Sequence, residues 1–391
     1  MKDSFLEVDY HQISKHGQGA CGDSFFSSKT GERTILVLAD GLGSGIKASV
    51  LSTLTTTMAA SFISARMDIK RAAEVILETL PVCSYRKIGY STFTIVDALQ
   101  DGKIRIIEHD NPPYVLLRHG EIIHPDKQAI ELNINRKAQL FYSEFQLEPK
   151  DRLVFFSDGV PQAGMGRPGL LLGWKQEGVE KHIVQLLQNQ PSLSAGEISK
   201  KLARKAREFD GGRAADDITC AALYLRKPRR TLLVTGPPYK MENDKVMADI
   251  VKSFQGAKVI CGGTTSEILS RELGIPVLVN LKEMRNSKEL PPSADMQGID
   301  LVTEGTITIS RALQLLEQGA NLDTLPDNPV KRLMSILTNS DIIDFVVGTK
   351  INEAHQDPAL PKNLEIRRNL IRRLSQVMEE KYYKQTNITF V

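Results

Sequence analysis

The chain has 391 residues, 41% of them hydrophobic and 25% charged, a globular composition with length enough for two or three domains. Its 50 Lys and Arg against 47 Asp and Glu leave a net charge of +3, too small for a protein that binds nucleic acid through bulk charge. The 4 cysteines form no CxxC pair, so neither a disulfide framework nor a zinc ribbon is expected.

The N-terminal MKDSFLEVDYHQIS lacks the apolar core of a secretion signal. No stretch approaches roughly 18 uncharged apolar residues, so the expectation is a cytoplasmic chain with reduced thiols and no membrane partner. In chain order, residues 6–13 read as a strand, and 34–39 (TILVLA) as a short buried one. A glycine-rich turn at 41–45 precedes a long helical pattern. Ile46, Val50, Leu54, Met58 and Phe62 recur every fourth residue, with Leu51 and Ile63 beside them, which predicts the apolar face of a helix. Thr55, Thr56 and Thr57 lower its intrinsic propensity, so packing must hold it. A second helix is expected over 69–80, stopping at Pro81. Strand-like runs follow at 91–97, 104–109, 114–118 and 121–124, with hairpin turns at 100–102 and 119–120. Residues 139–147 and 152–157 continue the sheet, helices follow at 178–188 and 195–208, and a strand at 218–225 closes the segment. That order predicts an α+β fold, a β-sandwich flanked by helix pairs.

The basic, proline-bearing stretch LRKPRR at 225–230 is a seam, predicting domains over 1–227 and 228–391. Beyond it, strands at 231–235, 258–261, 276–280 and 299–302 alternate with helices at 242–254, 266–274 and 307–318. This is the pattern of an α/β domain with a small parallel sheet. Residues 329–337, a loop near 355–361 and a terminal helix over 364–384 complete the chain.

Four short motifs carry the chemistry: Cys21-Gly22-Asp23-Ser24, Ala39-Asp40-Gly41-Leu42-Gly43, Ser157-Asp158-Gly159-Val160 and Asp216-Asp217-Ile218-Thr219. Asp40 follows TILVLA, Asp158 follows RLVFFS and Asp216 precedes ITCAALYL, so three of the four motifs stand at strand ends, where a buried sheet fixes a carboxylate rigidly. Hard divalent cations take oxygen ligands. Two such ions about 4 Å apart can share a water, lower its pKa and clamp a phosphoryl oxygen. Several carboxylates and no protein nucleophile meet that demand, and a glycine after aspartate lets a carbonyl approach closely enough to ligate. One Asp-Gly pair is an ordinary turn. Two of them after buried strands, with Gly-Asp upstream and Asp-Asp before the closing strand, form a constellation.

The order GDS, ADGLGSG, LVFFSDGV, DDIT resembles the phosphatase 2C superfamily of metal-dependent Ser/Thr phosphatases, and within it the bacterial stage II sporulation protein E type. HDNPPYVLLR at 109–118 and LEPKDRLVFFSDGVPQ at 147–162 are similar to segments of that family. The resemblance covers about residues 1–225. It implies a phosphatase 2C-like sandwich, hydrolysis of phosphoserine and phosphothreonine, and two divalent cations, Mn²⁺ or Mg²⁺. It further implies that Asp40 bridges both metals and that the Gly41 carbonyl ligates the second. Asp158 and Asp216 would ligate the first, and Asp23 would hold metal-bound water or touch the second. Lys15 would bind substrate phosphate, an ordinary solvated lysine being the alternative. The role of Asp217 stays open, although strand alternation points it away from Asp216. Where eukaryotic members often carry a leaving-group histidine, this chain has Leu42, which predicts slower turnover on phosphoserine than on aryl phosphates. The helices at 46–66 and 69–80 fall where sporulation-type phosphatases have a switch. The implied substrate is a phosphorylated signalling protein of the anti-anti-sigma kind. A non-catalytic partner-binding module on the same fold and a small-molecule phosphomonoesterase are the alternatives.

In the second domain, Gly262-Gly263-Thr264-Thr265-Ser266 follows a strand and opens a helix, offering backbone N–H groups to an anion. Thr235-Gly236-Pro237-Pro238 and Thr303-Glu304-Gly305-Thr306 end two other strands, and such loops line one carboxyl edge of a parallel sheet. A small anionic effector that regulates the phosphatase is one reading. Turn chemistry with Thr265 or Ser266 as N-cap is the other. Arg367, Arg368, Arg372 and Arg373 are flanked by Glu365, Glu379 and Glu380 and read as a solvated face. Cys21 and Cys261 beside glycine loops allow redox sensing, although buried inert thiols are commoner.

Overall fold

A computed structural model describes residues 4–30, 33–80, 91–133, 137–280, 292–350, 363–382 and 384–391. The helix stop at Pro81 and the loop at 355–361 lie outside the described residues. The chain divides into two units, Met1–Lys227 and Pro228–Val391.

The first unit runs β1 (Phe5–Ile13), β2 (Asp23–Thr30), β3 (Arg33–Gly41), α1 (Gly45–Ser64), α2 (Ile69–Thr79), β4 (Ser91–Leu99), β5 (Lys103–His109) and β6 (Val115–Arg118). It continues through β7 (Glu121–Ile123), β8 (Gln128–Asn133), β9 (Lys137–Gln146), β10 (Arg152–Phe156), α3 (Lys175–Asn189), α4 (Ala195–Phe209) and β11 (Ile218–Arg226). A five-stranded sheet in the order β1-β11-β10-β6-β7 faces a six-stranded sheet in the order β2-β3-β4-β5-β9-β8.

The strands β3 and β10 are covered on both faces, which is why they read as unbroken apolar runs. In β3, Leu36 and Leu38 point inward to Leu153, Phe155 and Leu223 of the facing sheet. Ile35, Val37 and Ala39 point outward to Ala59, Ile63, Ile76 and Leu77 of α1 and α2. In β10, Val154 and Phe156 meet Ile183, Ile198 and Leu202 of α3 and α4. The α+β sandwich with a helix pair on each outer face is the architecture expected from the element order.

Helix α1 corrects one expectation. The first part of its every-fourth apolar row faces outward, with Ile46 77%, Val50 60% and Leu54 44% exposed, while Met58 and Phe62 pack against the core. The buried face is Gly45, Ala48, Ser52, Thr55, Thr56, Ala59, Ala60 and Ile63. Small side chains let the helix axis come close to β3. The buried threonines satisfy their own hydroxyls, Thr55 donating to the Leu51 carbonyl at 2.8 Å and Thr56 to that of Thr53 at 3.0 Å. Among the described residues α1 is also the one helix long and apolar enough, by length and composition, to cross a membrane, which corrects the expectation that no stretch comes near. Its buried face packs on the sheet, as that of a covering helix does.

The second unit runs β12 (Arg230–Thr235), α5 (Glu242–Ser253), β13 (Ala257–Cys261), α6 (Gly263–Leu273), β14 (Leu278–Val279), β15 (Ala294–Asp295) and β16 (Leu301–Thr303). Then come α7 (Thr306–Gln318), α8 (Pro329–Asn339), β17 (Ile342–Val347), α9 (Asn363–Glu380) and β18 (Gln385–Phe390). The sheet is larger than expected and mixed rather than wholly parallel. Seven strands lie in the order β14-β15-β16-β13-β12-β17-β18. The five strands from β16 to β18 are parallel, while β14 and β15 add antiparallel at the edge. α5 and α6 cover one face with Met247, Val251 and Leu269. α7, α8 and α9 cover the other with Ile309, Leu333 and Leu374.

Candidate functional site

The aspartates of all four motifs come to one end of the first sandwich. Asp23 opens β2 and stands directly opposite Asp40 in the β2–β3 register. Asp158 lies just beyond the end of β10, and Asp216 and Asp217 just before β11, the strand paired with it. The separate sequence positions are gathered because β3 and β2 belong to one sheet, and β10 and β11 to the other.

Burial without compensating cations sets their electrostatics. Burial is the main cause that pushes the Asp40 carboxyl up to about 9, and the charges of Asp23, Asp158 and Asp216 add to it. Asp23 is pushed up to about 7, again chiefly by burial, although hydrogen bonds from Thr219 and Ser157 pull the other way. Asp158 is raised by burial and then by the neighbouring Asp216 charge.

The polar surroundings fix these groups. The Thr219 hydroxyl donates to Asp23 Oδ2 at 2.6 Å, and Asp23 Oδ1 is buried without a hydrogen bond from any described residue. Gln12 Nε2 donates both to the Asp23 carbonyl at 3.1 Å and to Thr219 Oγ1 at 3.0 Å. Gln162 Nε2 donates to Asp158 Oδ2 at 2.8 Å. Lys15 Nζ lies 3.4 Å from Asp216 Oδ1, with side chains 35% and 42% exposed.

Asp217 does a different job from Asp216. It is buried, its Oδ1 accepting from the Lys15 N–H and its Oδ2 from the Gly22 N–H, both at 2.9 Å. It therefore pins the segment carrying Asp23 to the start of β11. Two glycines are required by close approach. A Cβ on Gly41 would sit 2.0 Å from the Ala48 carbonyl oxygen, and one on Gly159 would sit 2.1 Å from that of Asp217. Gly41 N–H donates to the Gly22 carbonyl at 3.2 Å, tying the two loops together.

Asp23 Oδ1 is an orphaned acceptor, and burial, with the neighbouring charges adding to it, raises the carboxyls of Asp23, Asp40 and Asp158. Both observations fit a hard cation. Among the described residues no three or more His, Cys, Asp or Glu side chains close into a metal cage. The donor set suits Mg²⁺ or Mn²⁺, since Mg²⁺ keeps several waters and takes only one or two carboxylates, and does not suit an all-protein zinc cage.

In the second unit, Gly262 follows β13 at φ +130 and is itself the N-cap of α6, with no side-chain cap. The expected cap residues Thr265 and Ser266 instead lie in the first turn and are buried. Ser266 Oγ donates back to the Gly263 carbonyl at 2.7 Å. At the start of α7 the Ile307 N–H is taken by the Glu304 carboxylate at 3.1 Å, so an internal anion already occupies that terminus. The Cys261 thiol is fully buried and pushed up to about 12 by desolvation, which makes it unreactive rather than a redox sensor.

The residues that sequence reasoning passed over are Gln12, Ser157, Gln162 and Thr219. Three of them sit inside or beside the quoted motifs and position an aspartate, a role that becomes visible only when strands distant in sequence are paired.

A two-sheet sandwich with helix pairs outside and aspartates gathered at one end is the phosphatase 2C-type fold. The chain belongs to the stage II sporulation protein E (SpoIIE) family, whose profile matches residues 30–226, about half of its length. Among solved structures, the phosphatase domain of SpoIIE from Bacillus subtilis is 19% identical and covers 57% of this chain and 94% of that one, with a TM-score of 0.42. RsbX in complex with magnesium is 19% identical over 56% of this chain and 95% of that one, with a TM-score of 0.40. The serine/threonine phosphatase of S. agalactiae is 16% identical over 56% of this chain and 99% of that one, with a TM-score of 0.41. No curated protein matches the chain.

Proposed function

We propose that this chain is a Mn²⁺- or Mg²⁺-dependent protein serine/threonine phosphatase with a C-terminal regulatory unit. The observation that carries this reading is the convergence of Asp23, Asp40, Asp158 and Asp216, with two carboxyls pushed up to about 7 and 9. Asp40, Asp158, Asp216 and the Gly41 carbonyl would hold two divalent cations, with Asp23 beside the second. Such ions supply a nucleophilic water at neutral pH and neutralise charge on the phosphoryl oxygens.

The chain's own residues provide the rest. Asp40 gives up its proton when cations offset the burial and the neighbouring charges that raise its pKa. Gln162 orients Asp158, and Thr219 with Gln12 orients Asp23. Lys15 places an ammonium beside Asp216, where it attracts a phosphate dianion. Leu42 offers no proton to a leaving group, so aryl phosphates, which need none, turn over faster than phosphoserine. The natural substrate is a phosphorylated signalling protein of the anti-anti-sigma kind, and residues 262–266 are where a small anionic effector would act on the second unit.

Hydrolysis of an aryl phosphate by the full chain, with and without Mn²⁺, tests the reading. The expected result is Mn²⁺-dependent turnover that Asp40→Asn reduces to background. Metal-independent turnover, or full activity in Asp40→Asn, refutes it.

A further inference from the structure

Asp210 caps the C-terminus of α4 and is 3% exposed, yet nothing in the chemistry above uses it. Its two carboxylate oxygens reach two different segments. Oδ1 accepts from the Gly164 N–H at 2.7 Å and Oδ2 from the Ala215 N–H at 2.8 Å. Gly164 belongs to the loop that follows Asp158 and Gln162, and Ala215 immediately precedes Asp216. The β10–β11 ladder ends at Phe156 and Cys220, so beyond the strand ends the Asp210 side chain continues the tie between these segments.

Two further contacts extend it. The Asp210 carbonyl accepts from the Arg167 guanidinium in the same loop. The His16 N–H donates to the Ala214 carbonyl at 2.9 Å, joining this segment to the stretch that carries Lys15. A buried carboxylate shared by two backbone N–H groups fixes the spacing of their segments to the tolerance of a hydrogen bond.

We propose that Asp210 is a positioning residue, which sets the spacing of Asp158 and Asp216 and through it the affinity for a divalent cation. The proposal rests on the two-cation reading above. Outer groups that orient ligands typically change metal affinity by about 10–100-fold when removed. Asp210→Asn keeps the size of the side chain but turns an amide N–H toward a backbone N–H. Asp210→Ala removes both acceptors.

The test uses the full chain in three measurements. Calorimetric titration with Mn²⁺ gives the metal Kd, hydrogen exchange of the metal-free protein reads the Gly164 and Ala215 amides, and Trp174 fluorescence on denaturation reads stability. The expected result is a Kd weaker by about tenfold or more in both variants, with faster exchange at those two amides. Asp210→Asn, which keeps one acceptor, should do this at about half the stability cost of Asp210→Ala. Wild-type Mn²⁺ affinity in the variants, whether or not they are less stable, overturns the role of Asp210 alone. Unchanged exchange at both amides also overturns it. A wild-type protein that binds no Mn²⁺ overturns the two-cation reading and this proposal together.

Discussion

Replacing Asp217 tests whether the carboxylate site is held by a buried clamp. Asp217→Ala removes the acceptor of the Lys15 and Gly22 N–H groups, each bonded at 2.9 Å. A hydrogen bond to a charged acceptor contributes about 1.5–3 kcal/mol, so the two together contribute about 3–6 kcal/mol. Part of that is returned, because removing this charge also relieves the repulsion it exerts on Asp23. The expected net loss is about 2–4 kcal/mol, a large share of the total stability of an ordinary domain. Trp174 is the only tryptophan and packs in the core under α3 and α4, so its fluorescence reports unfolding of the first unit. With a urea slope of about 1–3 kcal/mol/M, the midpoint should fall by roughly 1–2 M. Asp217→Asn keeps one acceptor and should lose about half as much. A midpoint for Asp217→Ala within about 0.3 M of wild type, or equal losses in both variants, would refute the two-bond account.

Two further outcomes follow from the same geometry. Asp40 and Asp23 have folded pKa values of about 9 and 7 against an ordinary 3.8. Between the ordinary and folded values the native state binds more protons than the unfolded chain, so metal-free stability must fall as pH rises from about 4 to about 9. Melting curves in EDTA should show that decline, with the stabilisation by Mn²⁺ growing toward high pH; a flat or rising profile in EDTA contradicts it. Gly41→Ala forces a Cβ to within 2.0 Å of the Ala48 carbonyl oxygen, so α1 must move. The expected cost is about 3 kcal/mol in Trp174-monitored unfolding, and a loss below about 1 kcal/mol would show that the helix yields freely.

Much of this architecture is readable from the chain because its rules are local. TILVLA and RLVFFS each feed two cores, and the motif aspartates fall at the ends of those runs. What is not readable depends on distant partners. Asp217 bonds to residues at sequence separations of 202 and 195, and only strand pairing reveals them. Helix α1 misleads because hydrophobic spacing marks an apolar row without saying which row faces the sheet. Here the Ala, Ser and Thr row wins, since it permits the closer approach. β17 is interrupted by Asp344, which hides a central strand; the structure satisfies that carboxylate with Arg230 at 2.7 Å and Asn387 at 2.8 Å. β18, QTNITF, alternates weakly and lies at the sheet edge, where polar residues cost little.

The strand order of the first unit has a consequence for how the protein is made. β11 is the last strand of that unit, yet it lies between β1 and β10. It pairs with β1 from Phe5 opposite Arg226 to Ile13 opposite Ile218. As the chain leaves the ribosome, the first strand waits for the last, and β1 has no partner until residue 226 has emerged. Pairing across such a span is slow and leaves apolar strand faces uncovered in the interval. A nascent chain that ends anywhere before β11 therefore lacks both the strand that joins β1 to β10 and the aspartates that complete the site. The acidic centre and the fold are finished in the same late step, so a partly made chain cannot display a working one.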